Sequence, residues 1–155
     1  MPAYRVVAVS EDLARRVRAS RRSPGYGHPV YAELSTGYGP CRLCLRDFEV
    51  GIERRLLFTL DPFYGVEAFP LPGPVYIHEE KCDRYPEQAG FPADLRSHDL
   101  TLLAYGRGRV LRAEDRVAGE EVEGAMDRLL ARGDVDYLHV RDTAAGCYDF
   151  RIERA

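Results

Sequence analysis

The residues whose chemistry is most evident are four cysteines and four histidines among 155 residues, and four of these eight form two short motifs. Cys41-x-x-Cys44 follows a Gly-Pro turn, and His78-x-x-x-Cys82 follows a predicted strand. Three thiols and one imidazole are enough to complete a tetrahedral zinc shell. The two motifs therefore predict a zinc site on Cys41, Cys44, His78 and Cys82.

Other interpretations of these cysteines stay open at the level of sequence. A free cysteine often packs as a small hydrophobic residue, so the thiols could serve packing alone. They could also form a redox pair, or a thiol active site on Cys44 or Cys82. A thioredoxin-type pair is disfavoured, because Cys41 and Cys44 do not open a helix after a βαβ strand.

The last predicted hairpin carries a second group of reactive side chains. The alternation of apolar residues predicts a register that pairs Arg141 with Cys147 and His139 with Asp149. A guanidinium beside a thiol favours the thiolate, and a carboxylate beside an imidazole raises its basicity. An exposed face of an antiparallel sheet with ordinary ion pairs gives the same pattern, so the hairpin has both a functional and a purely structural interpretation.

The elements that must position these residues are mostly strands. Ser10 is a suitable N-cap for a first helix that runs to about residue 19, and an apolar stripe predicts a second helix over 120–132. Alternating or continuous apolar runs predict strands at 4–9, 30–34, 55–60, 75–78, 100–105, 109–113, 136–141 and 147–153. This pattern predicts an α+β fold, a largely antiparallel sheet of hairpins with two helices, in a single domain over residues 1–155.

Composition narrows the function classes. A formal charge of -3 argues against bulk nucleic-acid binding, and no apolar segment is long enough to span a membrane. The short apolar run near the N-terminus cannot form a signal-peptide core, so we expect a cytoplasmic protein. In that compartment a C-x-x-C motif is more typical of a metal or redox element than of a disulfide. The oligomeric state cannot be read from the sequence.

Five motifs follow one another along the chain: P-C-R-L-C-L-R-D at 40–47, D-P-F at 61–63, G-P-V-Y-I-H at 73–78 with Cys82, H-V-R at 139–141 and G-C-Y at 146–148. Together they resemble the bacterial family catalogued as domain of unknown function 1203. The resemblance implies one small domain with no assigned activity. It centres on Arg42, Cys44, His78, Cys82, His139, Arg141 and Cys147. Because Cys41 is a less regular element of that pattern, the resemblance favours a shared pocket over a closed four-ligand site.

The leading functional hypothesis is therefore a polar pocket formed by those seven residues. We expect it to bind a small anionic metabolite through Arg42, Arg141 and Tyr76. It could also act on that metabolite through a thiolate or a metal-bound water. Nothing selects among a lyase, a cyclase and a hydrolase, and the sequence leaves open whether the protein is an enzyme. The candidate catalytic residues are Cys44, His78, Cys82, His139 and Cys147.

The alternative hypothesis is a non-enzymatic interaction module. In it, a structural zinc on Cys41, Cys44, His78 and Cys82 stabilises the fold. Zinc is the one cofactor that the residues suggest under either hypothesis.

Overall fold

The computed structural model describes residues 3–37 and 39–155. The described chain forms two compact units. The central unit is Ala8–Tyr85, and the terminal unit combines the described residues up to Val7 with Pro86–Ala155. The strands and α-helices follow in the order β1 (Tyr4–Val7), α1 (Glu11–Ser20), β2 (Tyr31–Leu34), β3 (Arg54–Leu60), β4 (Gly73–His78), β5 (Asp99–Gly106), β6 (Val110–Ala118), α2 (Val122–Leu130), β7 (Tyr137–Asp142) and β8 (Tyr148–Arg154).

The central unit contains α1 and an antiparallel sheet in the order β2-β3-β4. Ser10 caps α1 as expected, because its side chain accepts a hydrogen bond from the Leu13 amide at 3.0 Å. Strand β3 is the middle strand, and its buried residues include Leu56 and Phe58. The β3–β4 pairing places His78 opposite Arg55 at the end of the sheet, which is where the second ligand motif begins.

The terminal unit contains α2 and an antiparallel sheet in the order β1-β8-β7-β5-β6. Alternate residues of β5, namely Leu100, Leu102 and Ala104, are fully buried, as the period of two in a half-buried strand requires. Strand β7 is buried on both faces from Tyr137 to Val140. The apolar stripe of α2 is buried through Val122, Ala125, Met126 and Leu129. The helix is shorter than the predicted one, because its first turn is a 3-10 turn at Gly119–Glu121.

The α+β class with two helices and antiparallel hairpins is confirmed. The strands divide into two sheets of five and three strands instead of forming one. Each predicted strand has a counterpart, with ends that differ by up to five residues. The assignment of the whole chain to a single domain stays a prediction. Among the described residues, no helix is long and apolar enough to cross a membrane.

The predicted register of the last hairpin is wrong. In the structure His139 lies opposite Arg151, whereas the expected partner was Asp149. The expected pairing of Arg141 with Cys147 is also absent from the β7–β8 ladder that the structure describes.

A β-bulge accounts for one of the two residues by which the pairing of His139 differs from the prediction. The register shifts between Val140 and Arg141, so that Val140 lies opposite Phe150 while Arg141 lies opposite Tyr148. Over Leu138–Val140 the offset from the predicted register is two residues, which leaves those side chains on their original faces, so burial of the apolar residues cannot detect it. Beyond the bulge the offset is one residue, and Tyr148, which the alternation predicts on the Val140 face, packs instead against the His139 ring, with ring centres 4.9 Å apart. The alternation was therefore right up to Val140 and wrong at Tyr148.

Candidate metal centre

The C-x-x-C motif forms a tight turn that presents two sulfurs. The Leu45 amide donates to the Cys41 carbonyl at 2.8 Å, and the Cys41 amide donates to the Arg46 carbonyl at 3.0 Å. Leu45 has a positive φ of 57°, which closes the turn. Gly39 precedes it with a φ of +112°, where a Cβ would lie 2.6 Å from a Phe48 ring carbon. Only glycine fits that position without strain.

The second motif brings its ligands to the same turn. His78 is the last residue of β4, and its backbone amide donates to Cys41 Sγ at 3.3 Å. Its ring nitrogen Nδ1 lies 3.5 Å from Cys44 Sγ. Four residues further on, Cys82 places its Sγ 3.8 Å from Cys41 Sγ. The ligand atoms of Cys41, Cys44, His78 and Cys82 all lie within 4.8 Å of one another.

These separations can be compared with those of an ideal tetrahedral site. A Zn–S bond of about 2.3 Å places two thiolate sulfurs roughly 3.8 Å apart. With a Zn–N bond of about 2.0 Å, a sulfur and a nitrogen lie roughly 3.5 Å apart. The Cys41–Cys82 and Cys44–His78 separations are 3.8 Å and 3.5 Å. The cluster is therefore geometrically suited to hold a metal ion.

The cluster is largely shielded from solvent. Cys41, Cys44 and His78 are 0%, 5% and 4% exposed, whereas Cys82 is half-buried. None of the four cysteines in the chain is in a disulfide. Four protein ligands around one centre leave no open coordination position, which is typical of structural zinc sites.

The electrostatics of the cluster favour an ionised Cys44. Hydrogen bonds from Cys41 and Cys82 hold the pKa of the Cys44 thiol far below its usual range. Burial raises the pKa of Cys41. Burial would lower the pKa of His78, but its contacts with Cys44, Cys82 and Glu53 raise that pKa to about 10. Without a metal the cluster thus holds a thiolate beside an imidazolium, and a cation would take the place of these protons.

Two arginines approach the sulfurs from outside the ligand set. Arg18 of α1 donates from Nη2 to Cys82 Sγ at 3.4 Å and from Nε to the His78 carbonyl at 3.1 Å. The Cys44 thiolate raises the pKa of the exposed Arg46. Three thiolates with one divalent ion carry a net negative charge, so nearby guanidinium groups stabilise the loaded site.

The other predicted ligand-binding residues of the central unit have structural contacts. Arg42 is 3% exposed, and its side chain donates to the Pro40 carbonyl. The Tyr76 hydroxyl donates to Glu33 at 3.2 Å, and the Arg55 guanidinium stacks 3.8 Å from the centre of the Tyr76 ring. Their role in binding an anion stays a prediction.

The predicted residues on the last hairpin belong to the terminal unit. His139 is fully buried, and its ring packs against those of Tyr105 and Tyr148, with ring centres 5.1 Å and 4.9 Å away. The expected increase in its basicity is wrong. Burial first, and then the charges of Arg141 and Arg151, lower the pKa of His139 to about 3. The ring is therefore neutral at physiological pH.

Arg141 and Cys147 have separate surroundings. Arg141 Nη1 donates to the Gly146 carbonyl at 3.2 Å, and the Arg141 guanidinium lies 5.9 Å from the centre of the Tyr148 ring. The Cys147 thiol contacts the Ala145 carbonyl at 3.8 Å. Whether His139, Arg141 and Cys147 line one pocket with the cluster of the central unit stays a prediction, as does any catalytic role for these side chains.

Sequence reasoning missed the groups around the ligands. Glu53 lies two residues before Arg55, which pairs with His78, so a correct β3–β4 register would have placed Glu53 near the imidazole. Arg18 belongs to a run of arginines whose pattern indicates a solvated helix face. Its neighbours Arg15 and Arg16 are indeed exposed, but Arg18 is half-buried against the cluster.

The fold and the site together define a small α+β protein whose cluster of three cysteines and one histidine is suited to a metal. The chain belongs to the family described as protein of unknown function (DUF1203), whose model matches residues 38–154. This confirms the family to which the sequence motifs pointed. No curated protein and no solved structure matches the chain.

Proposed function

We propose that the central unit is a zinc-stabilised module, in which Cys41, Cys44, His78 and Cys82 hold one Zn²⁺ as a closed structural site. The observation that carries this proposal is the spacing of the ligand atoms. The Cys41–Cys82 sulfur separation of 3.8 Å and the Cys44–His78 sulfur–nitrogen separation of 3.5 Å match those of a tetrahedral zinc ion, and all four ligand atoms lie within 4.8 Å of one another. Thiolate and imidazole ligands also favour zinc over magnesium or calcium, which prefer oxygen.

A closed site supports a role in folding rather than in chemistry. The ligands come from a turn, from the end of β4 and from an irregular segment after it, so the ion would tie together three parts of the central unit. With all four positions taken by protein side chains, the ion activates no water. The proposal thus develops the non-enzymatic alternative among the two sequence hypotheses.

Metal analysis of the purified protein tests the proposal. We expect one zinc per chain, and Co²⁺ substitution should give the intense thiolate charge-transfer bands of a tetrahedral site with three sulfur ligands and one nitrogen ligand. Cys82→Ser should abolish stoichiometric zinc, whereas the matched control Cys147→Ser should retain it, since both cysteines are half-buried but only Cys82 lies in the cluster. Metal-free protein that is fully folded, with four freely titrating thiols, would refute the zinc site.

A second candidate function rests on one guanidinium nitrogen of the terminal unit. Arg141 Nη2 is buried and makes no hydrogen bond to any residue that the structure describes, whereas Nη1 is bound by the Gly146 carbonyl. A buried N–H without an acceptor is costly, and a carboxylate or phosphate oxygen would supply one. We therefore propose that a small anion binds at Arg141.

Thermal-shift measurements test this second proposal with inorganic phosphate and succinate as probes. Either anion should raise the unfolding temperature of the wild-type protein in a saturable manner, and Arg141→Met should remove the shift. Arg128→Met serves as the control, because the Arg128 side chain is largely exposed on α2 and pairs with Asp115. Equal shifts in both variants would show that the anions stabilise the protein through its overall charge rather than at Arg141, and would refute the proposal.

A further inference from the structure

The two ring nitrogens of His78 face different groups. Nδ1 is directed at the thiols, 3.5 Å from Cys44 Sγ. Nε2 lies 3.0 Å from Glu53 Oε2. We propose that His78 binds the metal through Nδ1, and that Glu53 is a positioning residue. Its carboxylate fixes the ring by accepting a hydrogen bond from Nε2–H. This inference rests on the proposed zinc site and names the ligand atom and its carboxylate partner.

The tautomer of His78 follows from the single N–H that a neutral imidazole carries. A neutral imidazole carries one N–H and one lone pair, and a metal takes the lone pair. If Nδ1 is the ligand, Nε2 must carry the hydrogen. Metal-bound histidines generally donate this second N–H to a carboxylate or a carbonyl, which holds the ring in place.

Nε2 has one suitable acceptor nearby. Nε2 is buried, and it makes no well-aligned hydrogen bond to the described residues. Because Glu53 Oε2 is nevertheless only 3.0 Å away, the contact in this structure is an ion-pair contact off the N–H axis. A bound ion that orients the imidazole would bring Nε2–H into line with this carboxylate oxygen.

The turn before β3 is built to hold the Glu53 carboxylate. Its Oε1 accepts from the Glu49 amide at 2.9 Å, and the Glu53 amide donates back to the Glu49 carbonyl at 2.9 Å. One carboxylate oxygen is thus fixed by the backbone, which leaves Oε2 for His78. The Phe48 ring packs against the imidazole with ring centres 4.6 Å apart and restricts its rotation from another side.

The first experiment is long-range ¹H–¹⁵N correlation on uniformly ¹⁵N-labelled, zinc-loaded protein. The chain has four histidines, so the ring signals can be assigned with single His→Gln variants. We expect a metal-shifted Nδ1 and a protonated Nε2 for His78. A metal-shifted Nε2 with a protonated Nδ1 would refute the inference and leave the zinc site intact. Wild-type protein that binds no zinc would instead refute the proposed function itself.

The second experiment measures zinc affinity by chelator competition in Glu53 variants. Glu53→Ala should weaken binding by roughly 10- to 100-fold. Glu53→Gln should recover part of this loss, because its carbonyl still accepts a hydrogen bond from Nε2.

The matched control is Glu33→Ala. Glu33 also forms an ion pair in the central unit and is similarly exposed, at 21% against 33% for Glu53, but its partner is Arg55. The control measures how much a general loss of stability reduces zinc binding. If Glu33→Ala and Glu53→Ala lower the affinity equally, the positioning role of Glu53 is wrong.

Discussion

Removal of one buried thiol is the sharpest perturbation of the proposed zinc site. Cys41 is fully buried, accepts a hydrogen bond from the His78 amide at 3.3 Å and lies 3.8 Å from Cys82 Sγ. Cys41→Ser replaces a thiolate ligand with a hydroxyl that does not coordinate zinc comparably at neutral pH. The variant therefore separates a thiol that binds a metal from a thiol that only packs.

The magnitude follows from linkage between binding and folding. An ion that binds only the folded chain, held at about 1,000 times its dissociation constant, stabilises it by about 4.1 kcal/mol. If the lost ligand weakens binding at least about 1,000-fold, the same zinc concentration adds at most about 0.4 kcal/mol. The buried hydroxyl itself costs about 1–3 kcal/mol, with or without zinc. The informative quantity is therefore the zinc-dependent increment, not the total loss of stability.

The assay is urea unfolding under reducing conditions, once in buffered zinc and once in excess chelator. Wild type, Cys41→Ser and the control Cys147→Ser are compared. We expect a large zinc increment for the wild type and for Cys147→Ser, and a near-zero increment for Cys41→Ser. If Cys41→Ser keeps the wild-type increment while its stability in chelator falls, Cys41 is a packing residue. The four-ligand site would then be refuted.

Three further predictions concern residues at a cap, in the terminal sheet and at the rim of the cluster. Ser10→Ala should lower the free energy of unfolding by about 1 kcal/mol, because the Leu13 amide loses its cap; an unchanged urea midpoint would contradict this. The pKa of His139 is about 3 in the native protein and about 6.5 when unfolded. The unfolded chain therefore binds an extra proton between these values, and stability falls by about 1.4 kcal/mol per pH unit on acidification below about 6.5. The difference in stability between wild type and His139→Gln should carry this slope, and a difference that does not vary with pH would contradict it. Arg18→Met removes the N–H donor to Cys82 Sγ, so alkylation of Cys82 by iodoacetamide in the zinc-loaded protein should be several-fold faster, and an unchanged rate would exclude that shielding.

The elements of the fold were predictable because each has a local cause. The apolar stripe of α2 and the Ser10 cap of α1 act within a few residues of sequence. The alternation along β5, β7 and β8 also depends only on neighbouring positions. The division into two sheets was not predictable in this way, because contacts between residues distant in sequence decide which strands pair. The alternation of apolar residues is the same in every hairpin and does not identify the neighbouring strands.

The candidate site was predictable in its ligands but not in its surroundings. Three thiols and an imidazole in two short motifs match the ligand count of one zinc site, so Cys41, Cys44, His78 and Cys82 could be named as candidate ligands from residue type and spacing. Glu53 and Arg18 have side chains that are common on any protein surface. Their relevance depends on the β3–β4 register and on where α1 packs, neither of which a local pattern specifies.

His139 shows how a single structural detail reverses a chemical prediction. The expected pairing put a carboxylate opposite the imidazole, which would have raised its pKa. The observed register instead places Arg151 opposite His139, and burial among tyrosine rings removes solvation from the charged form. Both effects lower the pKa, so the ring is neutral at physiological pH and is a weak base. Any chemistry at this hairpin would therefore begin from a neutral imidazole beside the positive charges of Arg141 and Arg151. These surroundings suit the binding of an anion better than the abstraction of a proton.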